Sequence, residues 1–332
     1  MLIPKKERAL IKMLTLLTTF TLLGAIIPAK ATSLIITLET NKPAYGTGET
    51  VIVSGNLTLE GYGFRVGLVA VEIDSPLGSY VYRTMQTGPI EQEWIVETTD
   101  VYPCFQNGTR TYTFQRGGNA YIKVEMINNS NISRPVAVAL YIQYSNNVPF
   151  LATCDLINLP AYTSGSVTSS IPIPSDAPTG TTIVYASLYT DKPKYGGLPY
   201  CPEANTTFTI TSGTLQTLES STSTPSTSQS VSSFDFNFTI PRSGYIFGNY
   251  TIYASSQWQN YTAFSSKTFE VVLVGDVDGN GVVDMTDIGI AALAYASYPG
   301  HPKWDPRADI NKDGIVDMSD IGIICLHYGE KR

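Results

Sequence analysis

Histidine is nearly absent from this 332-residue chain. The only two, His301 and His327, lie near the C-terminus, so no Ser-His-Asp triad or histidine-ligated zinc site can be built from the residues before them. G-x-S-x-G, H-E-x-x-H and a phosphate-cradling glycine loop are missing as well. Charge is sparse at 15%, and 21 Lys/Arg against 28 Asp/Glu excludes the basic face that nucleic acid demands. Only one long apolar run exists, Met13 to Ile27. It follows Lys5, Lys6, Arg8 and Lys12 and runs into small residues ending at Ala31, the pattern of a secretory signal peptide over residues 1–31. The run falls short of the ~20 residues of a membrane helix. The expectation is an exported chain, secreted or cell-surface-associated, with no membrane span after signal cleavage.

Cysteine is scarce too. Cys104, Cys154, Cys201 and Cys325 are the whole set. An oxidising compartment favours pairing, and Cys104 in "VYPCFQNG" and Cys201 in "LPYCPE" sit among turn residues, so a Cys104–Cys201 disulfide is expected. Cys325 lies in an apolar helical run and is expected buried. N-glycosylation sequons occur at Asn56, Asn107, Asn128, Asn131, Asn205, Asn237, Asn249 and Asn260, and none falls in the C-terminal segment.

From Leu34 to Val274 there is no helix-period patterning. Instead come short β-branched and aromatic runs such as "TVIVSGNLTL", "NAYIKVEMI" and "NYTIYAS", bounded by Gly, Pro, Asn or Asp. Strands in such number predict a mainly β chain of sandwiches. Residues 234–274 hold three strands and residues 33–90 about four, too few for separate cores. Residues 91–211 hold enough for a complete domain. The economical reading is a discontinuous sandwich, 33–90 plus 234–274, with a second sandwich inserted at 91–211. Three sandwiches in a row are the alternative. Residues 212–233, "SGTLQTLESSTSTPSTSQSVSS", lack the apolar content to pack and read as a linker.

No catalytic residue emerges from this body. Its acids are scattered, and Glu72, Asp74 and Glu125 are expected to face solvent. Trp94, Trp258 and the many tyrosines read as packing residues, with a sugar-binding face as the alternative.

The C-terminal segment is different. "DVDGNGVVDMTD" from Asp276 returns 33 residues later as "DINKDGIVDMSD" from Asp309. Oxygen donors fall at loop positions 1, 3, 5, 9 and 12. They are Asp276, Asp278, Asn280, Asp284 and Asp287 in the first copy, and Asp309, Asn311, Asp313, Asp317 and Asp320 in the second. The carbonyls of Val282 and Ile315 complete the sets at position 7, and Gly281 and Gly314 supply the sharp turn at position 6. This spacing wraps hard oxygen ligands around one point, so two calcium ions are expected. Each loop leads into a helical run, with apolar stripes Ile288, Ala291, Ala292, Tyr295 and Ile321, Ile324, Tyr328.

Two resemblances follow. "TNKPAYGTGETVIVSG" (Thr40–Gly55) resembles the opening hairpin of bacterial and archaeal Ig-like and macroglobulin-like sandwiches. The duplicated loop–helix pair at 275–330, with Asp at position 12 and a strand before the first loop, resembles the type I dockerin. That resemblance implies a small all-α module that binds two calcium ions and docks onto a cohesin domain of another protein. It further implies recognition through positions 10 and 11, here Met285, Thr286 and Met318, Ser319. The near-identity of those pairs implies two docking orientations related by a half-turn. The leading expectation is therefore a non-catalytic, modular secreted protein whose Ig-like sandwiches act as spacer or adhesive body. Two alternatives stand beside it: a carbohydrate-binding or hydrolytic accessory of polysaccharide breakdown, and a surface-layer or fibre component.

Overall fold

The computed structural model describes residues 33–63, 67–88, 93–212, 232–242 and 246–331. The expected signal peptide and nearly all of the 212–233 linker lie outside the described residues. What is described is mainly β, with several sheets of the β-sandwich class.

Sheet 1 runs β1 (Leu34–Thr40), β3 (Thr50–Leu59), β15 (Ser233–Thr239), with β4 (Tyr62–Gly63) also paired to β3. Sheet 2 runs β2 (Ala44–Tyr45), β17 (Tyr261–Val271), β16 (Gly248–Trp258), β5 (Leu68–Ser75), β6 (Gly78–Gln86). Both sheets thus join strands from the two ends of the body: Phe236 stands opposite Val53, and Ile252 opposite Ile73. Sheet 3 has the order β11 (Pro149–Leu159), β10 (Arg134–Tyr144), β13 (Gly180–Tyr189), β14 (Ala204–Thr211), β8 (Thr113–Gln115). Sheet 4 consists of β12 (Ser164–Pro172), β9 (Asn119–Asn128) and β7 (Val96–Cys104). The ladders are antiparallel except at the short strands β2 and β8.

Period-two patterning explains the layers. In β1, Leu34, Ile36 and Leu38 are buried while Ile35 is exposed. They meet Val69, Val71 and Ile73 of β5 and the phenylalanines of β15 in the first core. Sheets 3 and 4 enclose a second core around Ile122, Val124, Leu140 and Phe208. Strands β5 and β10 break the alternation, because both faces are covered. Val138 and Leu140 point into the second core, while Ala137, Ala139 and Tyr141 join the first cluster. Sheet 3 therefore packs on the back of sheet 2.

That seam corrects one sequence expectation. Glu72 on β5 is fully buried rather than solvent-facing. Its carboxylate accepts hydrogen bonds from Ser79 Oγ (2.8 Å), Tyr82 Oη (2.9 Å) and the Lys194 backbone N–H (3.0 Å). Lys194 Nζ lies 3.0 Å from Asp74. Nearby, Arg83 Nε donates to both Glu203 oxygens at 3.1 and 3.0 Å, and its guanidinium lies 3.9 Å from the Tyr185 ring centre. Burial alone would lower the Arg83 pKa, but the Glu203 carboxylate outweighs that and holds it above its ordinary value.

The expected Cys104–Cys201 bridge is not formed; both thiols are free and buried. Cys201 Sγ sits 3.8 Å from Thr98 Oγ1, whereas Cys104 lies at the far end of β7. At ~3.3 Å per residue that places them about 20 Å apart, beyond the reach of a disulfide. Cys325, expected buried, is exposed. Among the sequons, Asn128 is buried, its Nδ2 donating to the carbonyls of Ile132, Leu159 and Pro160. Such a side chain is committed to backbone and has no room for a glycan. The other seven sequon asparagines are exposed.

Candidate metal centre

After β17 the chain carries two nine-residue helices, α1 (Met285–Leu293) and α2 (Met318–Leu326). Helices this short are marginal in isolation, so their ends must be fixed by side chains. Asp284 caps α1, accepting from the Thr286 N–H at 2.6 Å, while Asp287 accepts from the Asp284 N–H at 2.8 Å. Asp317 and Asp320 repeat this capping box on α2, with distances of 2.7 and 2.9 Å.

The same carboxylates organise the loops ahead of the helices. Asp287 is fully buried, and its Oδ1 also accepts from the N–H groups of Val277 (2.6 Å) and Asp278 (3.1 Å). Asp320, equally buried, accepts from Ile310 (2.8 Å) and Asn311 (3.1 Å). Asp276 and Asp309 accept from the turn glycines Gly281 (2.9 Å) and Gly314 (3.0 Å), which hold φ of 88° and 89°. The two loops share one hydrogen-bond plan.

In the first loop, oxygens of Asp276, Asp278 and Asp287 lie within 4.8 Å of one another. Three carboxylates at that distance repel by roughly 3 kcal/mol per pair at an effective dielectric constant of ~20. Asp276 Oδ1 is buried and has no hydrogen-bond partner. A buried acceptor left without a donor is rare, and an all-oxygen set fits a hard divalent cation. The residues present therefore fit a cation of the calcium or magnesium kind. Asp284 stands outside the trio as the helix cap, and Asn280 Oδ1 accepts from the Val282 N–H at 2.9 Å. In the second loop Asn311 takes the place of Asp278, donating to Asp313 Oδ2 at 2.9 Å.

The repeats interlock. Val283 of loop one exchanges backbone bonds with Gly329 (2.8 Å) and Glu330 (2.9 Å), beyond the second helix. Val316 of loop two does the same with Ala296 (2.8 Å) and Ser297 (3.0 Å), beyond the first. A small core of Val277, Val283, Ala291, Val316 and Ile324 lies between them. The expected apolar stripes are narrower than the spacing suggested: Ala292 on α1, Tyr295 just beyond it and Tyr328 beyond α2 are exposed. Sequence reasoning missed this cross-pairing, although Val283 and Val316 share loop position 8. Met285 and Met318 are 64% and 63% exposed, and Thr286 and Ser319 are exposed beside them.

No protein-family model and no curated protein matches this chain. Among solved structures, the C-terminal domain of Wzt aligns at 10% identity and a TM-score of 0.32, over 41% of this chain and 87% of that one. A β-glucosidase from Listeria innocua in complex with glucose aligns at 12% and 0.26, over 39% of this chain and 17% of that one. A CARDB domain from Pyrococcus furiosus in complex with di-metal ions aligns at 13% and 0.25, over 38% and 96%. Likenesses of this size carry no argument about function.

Proposed function

We propose that residues 275–330 form a dockerin-like calcium module that anchors a non-catalytic, secreted body to a cohesin-type domain of another protein. The observation that carries the calcium reading is the unpartnered Asp276 Oδ1, buried beside Asp278 and Asp287. Asp276, Asp278, Asn280, Asp287 and the Val282 carbonyl would hold one ion. Asp309, Asn311, Asp313, Asp320 and the Ile315 carbonyl would hold the other. The cation relieves the carboxylate repulsion, so binding and tail stability are linked.

The docking part rests on symmetry and exposure. Met285 with Thr286 and Met318 with Ser319 occupy equivalent, solvent-exposed first turns of α1 and α2. The Ig-like sandwiches serve as spacer. The test is a calcium titration of the whole chain by calorimetry, followed by binding to a panel of purified type I cohesins with and without EDTA. Two calcium equivalents and chelator-reversible capture are expected, both lost in the Asp276→Ala, Asp309→Ala double variant. Undiminished capture by that variant would remove the mechanism.

A further inference from the structure

A cleft of ≈ 640 Å³ lies along the seam between sheets 1–2 and sheets 3–4. Tyr80 of β6, Tyr144 of β10, Phe150 of β11, Asn146, Asp176 and Arg242 line it. We propose that this cleft binds a saccharide. Its size is that of a small-molecule site, and a seam between domains is where such sites form.

Three features specify the ligand class. Tyr144 and Phe150 are stacked, with centroids 5.2 Å apart and planes 20° from parallel, giving a half-buried aromatic wall. The C–H face of a sugar ring packs on such a wall. Secondly, Asp176 brings an acceptor, Arg242 a donor and Asn146 both. Hydroxyl groups, which donate and accept, satisfy that mixture. A simple anion would meet Asp176, and a purely apolar ligand would strand all three.

The third feature is Tyr80. Its ring is held edge-on by Phe238 at 5.8 Å and Tyr250 at 5.3 Å, so the hydroxyl has a fixed place. Yet Tyr80 Oη is buried without a hydrogen-bond partner. A ligand hydroxyl would satisfy it once the side chains over that oxygen part on binding, since it has almost no accessible surface in the free protein. An adjoining cavity of ≈ 220 Å³ shares Tyr80, Pro149 and Phe150 with the cleft. The two together form a groove for an oligosaccharide rather than for one sugar.

This proposal does not depend on the tail, and the experiment separates them. The whole chain, in EDTA, is applied to an array of plant, algal, fungal and bacterial polysaccharides, and the best binder is titrated by calorimetry as its soluble hexasaccharide. Binding to one polysaccharide class is expected. Tyr80→Phe should weaken it at least fivefold without lowering the melting temperature, because the hydroxyl lost has no partner in the free protein. Phe150→Ala should weaken it more than tenfold. Phe264→Ala, on an exposed sheet position, should leave it unchanged. Should Phe150→Ala fail to fold, Tyr80→Phe still decides. An array without signal, or a Tyr80→Phe variant that binds like the parent, overturns the assignment.

Discussion

Two aspartates in the first loop do different work. Asp287 accepts three backbone N–H groups from within a buried position, so its truncation strands donors whether or not a cation is bound. Asp278 is half exposed, and its carboxylate accepts only from Asn280, through that residue's N–H and Nδ2. Asp287→Ala should therefore destabilise the tail by about 2–3 kcal/mol even in EDTA. Asp278→Ala should leave the EDTA melting curve in place and remove most of the calcium-induced rise. Differential scanning calorimetry with and without calcium reads both effects; equal losses in EDTA would merge the two roles. The ligand spacing was legible because all of its members lie within twelve residues. The burial of Asp287 was not, since nothing local distinguishes a core carboxylate from a surface one.

The cysteines were misread for a related reason. Turn-like surroundings placed Cys104 and Cys201 in loops, but side-chain separation depends on where β7 lies within the second sandwich. Burial pushes the thiols of Cys104 and Cys201 up, and that of Cys154 to about 12, whereas Cys325 is exposed on α2. The thiolate is the reactive form. At pH 8, a disulfide-exchange reagent should label Cys325 first and the other three only on unfolding, for a total of four thiols per chain. A count of two in denaturant would restore a disulfide.

Among elements, the alternating strands were the most legible feature, because one-sided burial prints itself on the sequence. Strand β5 was the exception. Its run Leu68–Ile73 is buried on both faces, so the expectation that an acid on a strand faces solvent failed at Glu72. The partner of β3 could not be read locally either, because β15 lies roughly 180 residues away. In the tail, the element that fixes loop shape is the turn glycine. Gly281 and Gly314 occupy left-handed backbone, where a Cβ costs about 1–2 kcal/mol. Gly314→Ala should lower calcium affinity of its loop about five- to tenfold while the first loop titrates normally. Calorimetric titration resolves the two sites, and an unaltered second site would show that the turn is not limiting.

At the scale of the whole molecule, the seam between the two pairs of sheets holds both the cleft and the buried Arg83–Glu203 ion pair. The Glu203 side chain is 10% exposed and accepts from Arg83 and from the Thr84 N–H at 3.0 Å, tying the approach to β14 to β6. Removing Arg83 leaves that carboxylate buried without its counter-charge, at a cost of about 3–5 kcal/mol. The exposed Lys42–Glu49 pair, although shorter at 2.8 Å, is worth less than ~1 kcal/mol. Urea unfolding of Arg83→Ala against Lys42→Ala should show that difference, and near-equal midpoints would mean the seam is solvated. The seam also sets the cleft's geometry, because Tyr80 lies three residues from Arg83 on β6 while Phe150 stands on the opposing sheet. Loosening it should therefore weaken saccharide binding in Arg83→Ala but leave calcium titration of the tail untouched. Coupled losses at both sites would instead indicate one cooperative unit from β1 to α2.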